Sequence, residues 1–557
     1  MGFGVREPRT ISGEHVPGTS LIYGIEGDDV ETAAQANLKR GRGKNADIIL
    51  VPQPSDSPND PLNWPQWKKN MTFLSICLSV SMGAALGPVL SPVTGIIAMQ
   101  FHVSIGKAAL PGGYPLMSCA LGAFIIQAWA PILGKRSAYI ASTLVLFTGT
   151  IWCAQVRAPD FNGLLAARTY QGFGVGAYES IVISTIGDLF FVHERGKRIV
   201  FYNIVSLGCA SLEPVLGGYI AQTYGWTMEF NILIAFTGLA LLAIIFACPE
   251  TSYVRSSIYE TDMQSTLGLA DPSEKKSGTT TTSEIEESTS GPESPRLDIS
   301  AAIEKPKTYW EELKPFNGFI TRQNPLVLLA RPFVCFLYPA VFWGFTVGGL
   351  WSSWVIGLGI VLAQIYAGPP NLFDPTRLGL LFLFPFVFLL LGCVLGVFLS
   401  DWWPKWCARR NKGIFEPEFR LILLVPVLLV GIPGLFGFGH YASHPGVKWV
   451  ASSALQGLIG FAAVLAGSVS FGYVLDCHRD HSIDVSVSII LLRNMFWFGA
   501  SYFLPDWLAA TKTWKVFDII GGLQLGITLC SIFIYIFGKQ MRNFFHKHDP
   551  LKAFHLV

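Results

Sequence analysis

Twelve apolar runs constrain the fold of this chain more than any other feature. Each run reaches the roughly 20 residues that an α-helix needs to cross the hydrocarbon core of a bilayer. Six runs precede a hydrophilic stretch at about 251–325, and six follow it. The runs cover about 71–99, 108–133, 137–156, 163–187, 199–222 and 228–248, then 330–363, 377–400, 420–439, 448–473, 484–506 and 516–538. The pattern predicts an all-α membrane protein with twelve transmembrane helices in two pseudo-symmetric six-helix halves.

Composition supports this class of protein and argues against several others. Only 14% of the 557 residues are charged, whereas a soluble protein carries about a quarter. The net charge of +2 is spread between the apolar runs, so no nucleic-acid partner is predicted. The ten cysteines stand singly without a CxxC pair, which argues against a metal site. No GxxxxGK[ST] motif and no Ser/His or His/Asp cluster stands out, so we expect neither ATP-driven pumping nor an enzyme, and no cofactor beyond a coupling proton.

Hydrophilic segments divide the chain. Both the N-terminal tail and the central loop have compositions typical of disorder over most of their length, with one short interfacial helix expected near 308–314. Loops rich in Lys and Arg follow the second, fourth and eighth runs, and the positive-inside rule then places both termini and the central loop in the cytoplasm. The predicted parts are the tail 1–69, the N-terminal half 70–250, the central loop 251–325, the C-terminal half 326–540 and the tail 541–557.

Polar residues inside the fourth run are the main functional signal. Arg168, Gln171 and Glu179 lie within this apolar segment, and ionisable groups inside a membrane usually mark a substrate or proton pathway. On one continuous helix, Arg168 and Glu179 would project within about 20° of each other, toward the bundle interior or a water-filled cavity. The neighbouring glycines, Gly172, Gly174 and Gly176, are interpreted as close helix-packing positions rather than a phosphate loop.

Buried carboxylates suit proton coupling, because burial favours their neutral form and a nearby cation favours the charged form. Glu179 and, in the fifth run, Glu213 are the candidates. Arg168 cannot lose its proton, so it is expected to bias a carboxylate or to orient water through Gln171. A static ion pair between Arg168 and one of these glutamates is the alternative.

The second half contains candidate substrate-binding residues. Arg493 and Asn494, near the middle of the eleventh run, either ligate an anionic substrate group or bond freed backbone carbonyls. Aromatic residues of the seventh run either line a cavity for a hydrophobic or cationic solute or pack at the membrane. These aromatic residues are Tyr338, Trp343, Trp351 and Trp354.

Several motifs in order resemble the major facilitator superfamily, and specifically its fungal twelve-span drug:proton antiporter branch. The resemblance covers about 60–540. The motifs are Asp60-Pro61-Leu62-Asn63-Trp64-Pro65, Gly134-Lys135-Arg136, Arg168-Thr169-Tyr170-Gln171-Gly172, Pro249-Glu250-Thr251, and Ser400-Asp401-Trp402-Trp403 through Ala408-Arg409-Arg410.

The resemblance assigns roles to matching residues. It implicates Arg168 in proton transfer and implies gating by the loop residues Gly134, Lys135, Arg136, Asp401, Arg409 and Arg410. Asp476 is expected to be a gate or a helix-end contact.

Two positions depart from the family pattern. The aspartate of the first basic loop is missing, with Ala130-Pro131 near its place. Pro214, Gly217 and Gly218 match the fifth-run antiporter motif, but Glu213 stands where a glycine is expected.

These observations predict a monomeric secondary transporter of the plasma membrane that exports a small organic molecule, such as a drug, toxin or secondary metabolite, by proton antiport. Glu213 keeps one alternative open, namely proton symport for uptake of polyamines or other organic cations. A non-transporting sensor on the same scaffold and a vacuolar location are further alternatives.

Overall fold

The computed structural model describes residues 5, 19–21, 54–55, 57–253 and 307–556, except 317, 322, 369–370, 412–413, 445–448 and 479–480. Within these ranges, eleven helices are long and apolar enough to cross a membrane, judged by length and composition. The fourth predicted crossing is not among them, because residues 161–189 form three short helices instead of one. Most of the predicted loop 251–325 lies outside the described residues.

The N-terminal half contains nine helices within the described residues. A 3-10 turn, Pro61–Asn63, precedes them and is capped by the Asp60 carboxylate, which accepts from Leu62 N. The helices are α1 (Gln66–Leu86), α2 (Thr94–Gln100), α3 (Ile105–Leu133), α4 (Lys135–Gln155), α5 (Phe161–Phe173), α6 (Gly176–Ser180), α7 (Val182–Leu189), α8 (Val192–Tyr224) and α9 (Trp226–Ala247).

The C-terminal half repeats the up-and-down arrangement. Its seventh crossing is interrupted by a π-helical turn, Phe345–Gly349. The short helix α10 (Tyr309–Glu312) precedes this half. The helices that follow are α11 (Pro325–Cys335), α12 (Pro339–Gly344), α13 (Leu350–Tyr366), α14 (Pro375–Leu380), α15 (Leu383–Arg410), α16 (Leu424–Ala442), α17 (Trp449–Cys477), α18 (Ser482–Ala510), α19 (Thr513–Leu529), α20 (Ser531–Lys547) and α21 (Pro550–Ala553).

Each half has its own apolar core, and the halves meet along α3 with α18 and along α8 with α14 and α15. We call the face with the start of α1, the α3–α4 turn and the described C-terminal residues the termini face, and the opposite one the far face. At the far face Tyr114 Oη bonds Tyr502 Oη at 2.6 Å, and Gln364 Nε2 donates to Pro505 O at 2.9 Å. The far ends of the bundle are therefore packed together.

Residues 307–321, which we call the linker strap, lie across the termini face of the N-terminal half. Their short helix α10 falls where sequence analysis predicts one, and its N-terminus carries a capping box of Thr308 and Glu311. The strap bonds to five separate segments of that half. Lys307 N donates to Asn59 Oδ1 at 3.0 Å, Tyr309 Oη to Phe246 O at 2.7 Å, and Lys68 Nζ to Glu312 Oε2 at 2.6 Å. Arg136 Nη2 donates to Leu313 O at 2.9 Å, Ile320 N to Ile132 O at 2.9 Å, and Thr321 Oγ1 to Pro131 O at 2.8 Å.

The chain ends are also fastened to the termini face of the C-terminal half. Ser20–Leu21 pairs antiparallel with Ile414–Phe415. Leu551 of α21 is fully buried, and Arg331 Nε donates to Leu556 O at 2.9 Å. Parts of both predicted tails, 1–69 and 541–557, are therefore built into the fold.

Glycine packing explains the break in the fourth crossing. A Cβ on Gly176 would lie 2.5 Å from Ala123 N of α3, and a Cβ on Gly174 would lie 2.5 Å from Leu146 N of α4. A Cβ on Gly172 would meet the backbone at Pro115. Because the backbones touch at these points, the crossing follows its neighbours rather than one straight helical axis. The prediction of one continuous helix over 163–187 is therefore wrong.

We expect the substitution Gly176→Ala to lower the thermal stability of the purified protein, because its methyl group overlaps the α3 backbone. The cost of such overpacking is about 1–3 kcal/mol. Gly499→Ala is the matched control, since nothing lies within 4 Å of its Cβ position. Equal melting temperatures for the two variants in detergent would contradict this packing.

Candidate functional site

Arg168, on α5, is fully buried and bonds three groups. Its Nε donates to Pro111 O at 3.1 Å, its Nη2 to Gly87 O at 3.0 Å and its Nη1 to Gln171 Oε1 at 2.5 Å. Pro115 has no N–H, so the Pro111 carbonyl lacks its usual helical donor. Gly87 caps the end of α1, where carbonyls also lack helical donors. The guanidinium therefore satisfies backbone groups freed by helix interruptions.

The structure shows the Arg168 donors used on backbone carbonyls and Gln171, and not in the alternative, a static ion pair with a glutamate. Among the described residues, the partners of its guanidinium are two carbonyls and the Gln171 amide, which itself donates to Thr150 Oγ1 at 2.9 Å. Glu213 nevertheless lies within Coulombic range of Arg168. Among the described residues no hydrogen bond or ion pair joins Arg168 to Glu213, so the expected bias of this carboxylate by the cation stays a prediction.

Glu179 joins the two halves. Its Oε2 accepts from Arg493 Nη2 at 2.8 Å and from Asn494 Nδ2 at 3.2 Å, and Arg493 Nε donates to Asn494 Oδ1 at 3.1 Å. The side chains of Glu179 and Arg493 remain 27% and 18% exposed. All three residues can be identified from the sequence. Their pairing cannot, because Glu179 and Arg493 lie in different halves, 314 residues apart.

Local irregularities position this ion pair. Glu179 lies on the five-residue helix α6, between the break at Gly174 and the turn at Ile181. Arg493 lies on α18 beside the π-helical turn, where a Cβ on Gly349 would be 3.7 Å from Arg493 Cβ. Single π-helical turns are frequent at functional sites. In both halves, therefore, the helix is irregular at or beside the residue that forms the ion pair between the halves.

Glu213 of α8 faces a carboxylate that sequence analysis missed, Glu229 of α9. Glu213 Oε1 and Glu229 Oε1 each lie 2.9 Å from the position of a Cβ on Gly217. Glu229 is only 2% exposed. Its place at the start of the sixth apolar run suggests an ordinary residue of the membrane interface. The one signal in the sequence for a buried position was a carboxylate within two residues of the start of that run.

The other antiporter-motif residues lie where the halves meet. A Cβ on Gly218 would meet Pro375 O, and a Cβ on Gly379 would meet Pro214 O. The small residues of the motif therefore allow α8 to contact α14 backbone to backbone.

The first basic motif forms a clamp at the termini face. Gly134 has φ +95°, and the Glu250 carboxylate accepts from Lys135 N at 3.0 Å and from Arg136 N at 3.1 Å. This carboxylate caps the positive end of α4. Lys135 Nζ contacts the Asp188 carboxylate of α7. Asp188 thus supplies a carboxylate to this loop, whose own motif lacks one.

In the second half, Asp476 accepts from Arg420 Nε at 2.7 Å, and Arg420 Nη1 donates to Ser400 O at 3.3 Å. Arg410 lies 4.2 Å from the Trp406 ring centroid. Asp401 and Arg409 lie on α15, and the Asp401 side chain is outside the described part. Asp476 therefore fits the expected helix-end contact.

The seventh-crossing aromatic side chains pack within the C-terminal half rather than beside Glu179. Trp351 is fully buried against Gly431, and Tyr338 Oη donates to Asp549 Oδ1 at 2.6 Å near the termini face. Trp343 Nε1 donates to Ser531 Oγ and Trp354 Nε1 to Gln524 Oε1, each at 2.9 Å. These aromatic side chains therefore contact their own half and lie apart from the Glu179–Arg493 pair.

The His478 ring packs against the Tyr338 ring at an angle of 45°, with the ring centroids 4.4 Å apart. Burial, helped by nearby His481, lowers the pKa of His478 to about 4. Its ring is therefore neutral near pH 7.

The two docked helical halves and the polar groups between them define a membrane carrier. Residues 72–483 match the family model described as Major Facilitator Superfamily. The chain belongs to this superfamily and is a secondary transporter of small solutes. This assignment confirms the predicted fold class of twelve transmembrane helices in two halves, and the predictions that the chain is not an enzyme and needs no cofactor.

Individual relatives are distant but cover most of the chain. It is 25% identical to Protein HOL1 of Saccharomyces cerevisiae, over 95% of each chain. It is 24% identical to the multidrug transporter TPO1_2 of Candida glabrata, over 80% of this chain and 70% of that one. The partially occluded inward-open xylose transporter XylE from E. coli is similar in fold, with a TM-score of 0.55 and 14% identity over 83% of this chain and 97% of that one.

We expect Arg168→Lys to reduce both thermal stability and transport, because one ammonium group cannot reach the two carbonyls and the amide together. Hydrogen bonds to charged groups contribute about 1.5–3 kcal/mol. Arg157→Lys serves as the control, since Arg157 is exposed and donates to the nearby carbonyls of Ala154 and Val156. A melting temperature for Arg168→Lys equal to that of the control variant would refute this role.

Proposed function

We propose that this transporter couples proton movement to the export of a small organic molecule. The observation that carries the proposal is the Glu179–Arg493 ion pair, which joins the halves and stays partly open to solvent. Alternating access requires the halves to rock against each other around a central site. A charged link between them is well placed to respond to protons.

Only one partner of this link can change its charge. Arg493 keeps its proton, whereas the Glu179 carboxylate can accept one. A proton on Glu179 removes the attraction to Arg493, so the link between the halves weakens. Each proton that enters supplies about 2.3 kcal/mol per 100 mV of membrane potential.

The positive-inside rule supports a cytoplasmic termini face, with both termini inside. Lys135 and Arg136 begin α4, and Arg409 and Arg410 end α15, so all four lie at helix ends on that face. We propose the plasma membrane as the location and a monomer as the working unit, as expected for the antiporter branch that the motifs resemble.

Uptake by proton symport is the second candidate function. Glu213 replaces a glycine of the antiporter motif, and a second buried carboxylate, Glu229, faces it. Carboxylates favour an organic cation as the solute, and proton symport would move it inward. The motif resemblance favours export, and this acidic pair favours uptake.

We expect Glu179→Gln to reduce flux driven by a pH gradient at least about tenfold, because the amide cannot take up a proton. The measurement uses proteoliposomes and two probes, the lipophilic cation rhodamine 6G and the polyamine spermidine. Glu312→Gln is the control, since Glu312 pairs with Lys68 at the termini face. Gradient-driven flux of either probe that persists fully in Glu179→Gln would eliminate the proposed coupling.

The same vesicles separate export from uptake. For antiport, an acidic exterior drives probe out of right-side-out vesicles, whereas for symport it drives probe in. We expect wild-type protein to export rhodamine 6G, with Glu213→Gln changing the pH dependence of its flux. Spermidine accumulation driven by external acid, without rhodamine 6G export, would instead establish symport.

A further inference from the structure

We infer that Glu213 and Glu229 form a second proton-binding site, in which two carboxylates hold one proton between them. The inference rests on the proposed proton coupling and extends it to α8 and α9, away from the Glu179–Arg493 pair. Glu229 has no role in the sequence motifs considered above.

The first support is the convergence of the two side chains on one glycine. Gly217 lies four residues after Glu213 on α8, and its missing side chain leaves the space that the two carboxylates enter. Both Oε1 atoms lie 2.9 Å from the Cβ position of Gly217. Any larger residue there would push the carboxylates apart.

The second support is the lack of hydrogen-bond partners in the described part of the chain. Both oxygens of Glu229 and Oε2 of Glu213 are buried without a donor. Glu229 is 2% exposed, so water does not replace the missing donors over most of its surface. A buried carboxylate without a donor is costly, and a proton on the facing carboxylate supplies one.

The charges around the pair favour the binding of one proton by the two carboxylates. Within the described residues, Glu213 and Glu229 converge on Gly217, and Arg168 is the cation within Coulombic range of Glu213. Two adjacent carboxylates rarely ionise together in a buried site. One proton from water changes the charge of the pair from minus two to minus one, and the pair then keeps a single negative charge.

The test is infrared difference spectroscopy of the purified full-length protein as a function of pH, which detects protonated carboxyl groups without a transported substrate. The variants are Glu213→Gln, Glu229→Gln and the double variant. We expect each single substitution to move the band of the surviving carboxyl and to change its proton affinity at least about tenfold, because the survivor loses its partner. Interacting carboxylates titrate as a unit.

Gly217→Ala tests the geometry without removing a carboxylate, since its methyl group separates the two oxygens. We expect the same spectral change as in the single glutamate variants. Gly522→Ala is the control, with nothing within 4 Å of its Cβ position. Melting temperatures identify any variant that fails to fold. Glu213→Gln and Gly217→Ala test the shared proton independently, because one removes a carboxylate and the other separates the two.

Two independent carboxylates would overturn the inference. Each single substitution would then remove one band and leave the other at its original frequency and midpoint. A shared band in a protein without proton-driven flux would contradict the proposed function, while the shared proton itself would stand.

Discussion

Backbone carbonyls without helical donors are the constraint on which the centre of the N-terminal half depends. In a membrane every such group needs an internal partner. Pro115 removes the donor for Pro111 O, and α1 ends at Gly87. The Arg168 guanidinium bonds both carbonyls and thereby ties three crossings together. Its positive charge therefore remains in the core, where it is fully buried.

The sequence is a good guide to features with strong local signals. Apolar runs of sufficient length predict the crossings, and ionisable residues within them identify Arg168, Glu179 and Glu213. The break in the fourth crossing follows instead from contacts of Gly174 and Gly176 with other helices, which spacing along one chain does not show. The pairing of Arg493 with Glu179 could not be predicted for a similar reason, since Glu179 lies in the opposite half.

Glu229 and the seventh-crossing aromatic residues show that a residue's environment cannot be predicted from its place in an apolar run alone. Glu229 looks interfacial because it begins an apolar run, yet α8 covers it. Trp351 looks suited to a solute cavity, yet it packs on Gly431 inside its own half. In both cases the residue type is informative, but the neighbour that decides its environment is distant in sequence. Buried polar groups are therefore best located after the helices have been docked.

The linker strap belongs covalently to the C-terminal half but is hydrogen-bonded to the N-terminal half. A polypeptide cut between 254 and 306 would leave residues 307–321 on the second fragment, with their bonds to the first fragment intact. The strap would then contribute contacts that hold two separately synthesised fragments together. Because the Arg136 guanidinium donates to Leu313 O, the strap also links the start of the second fragment directly to the first basic motif.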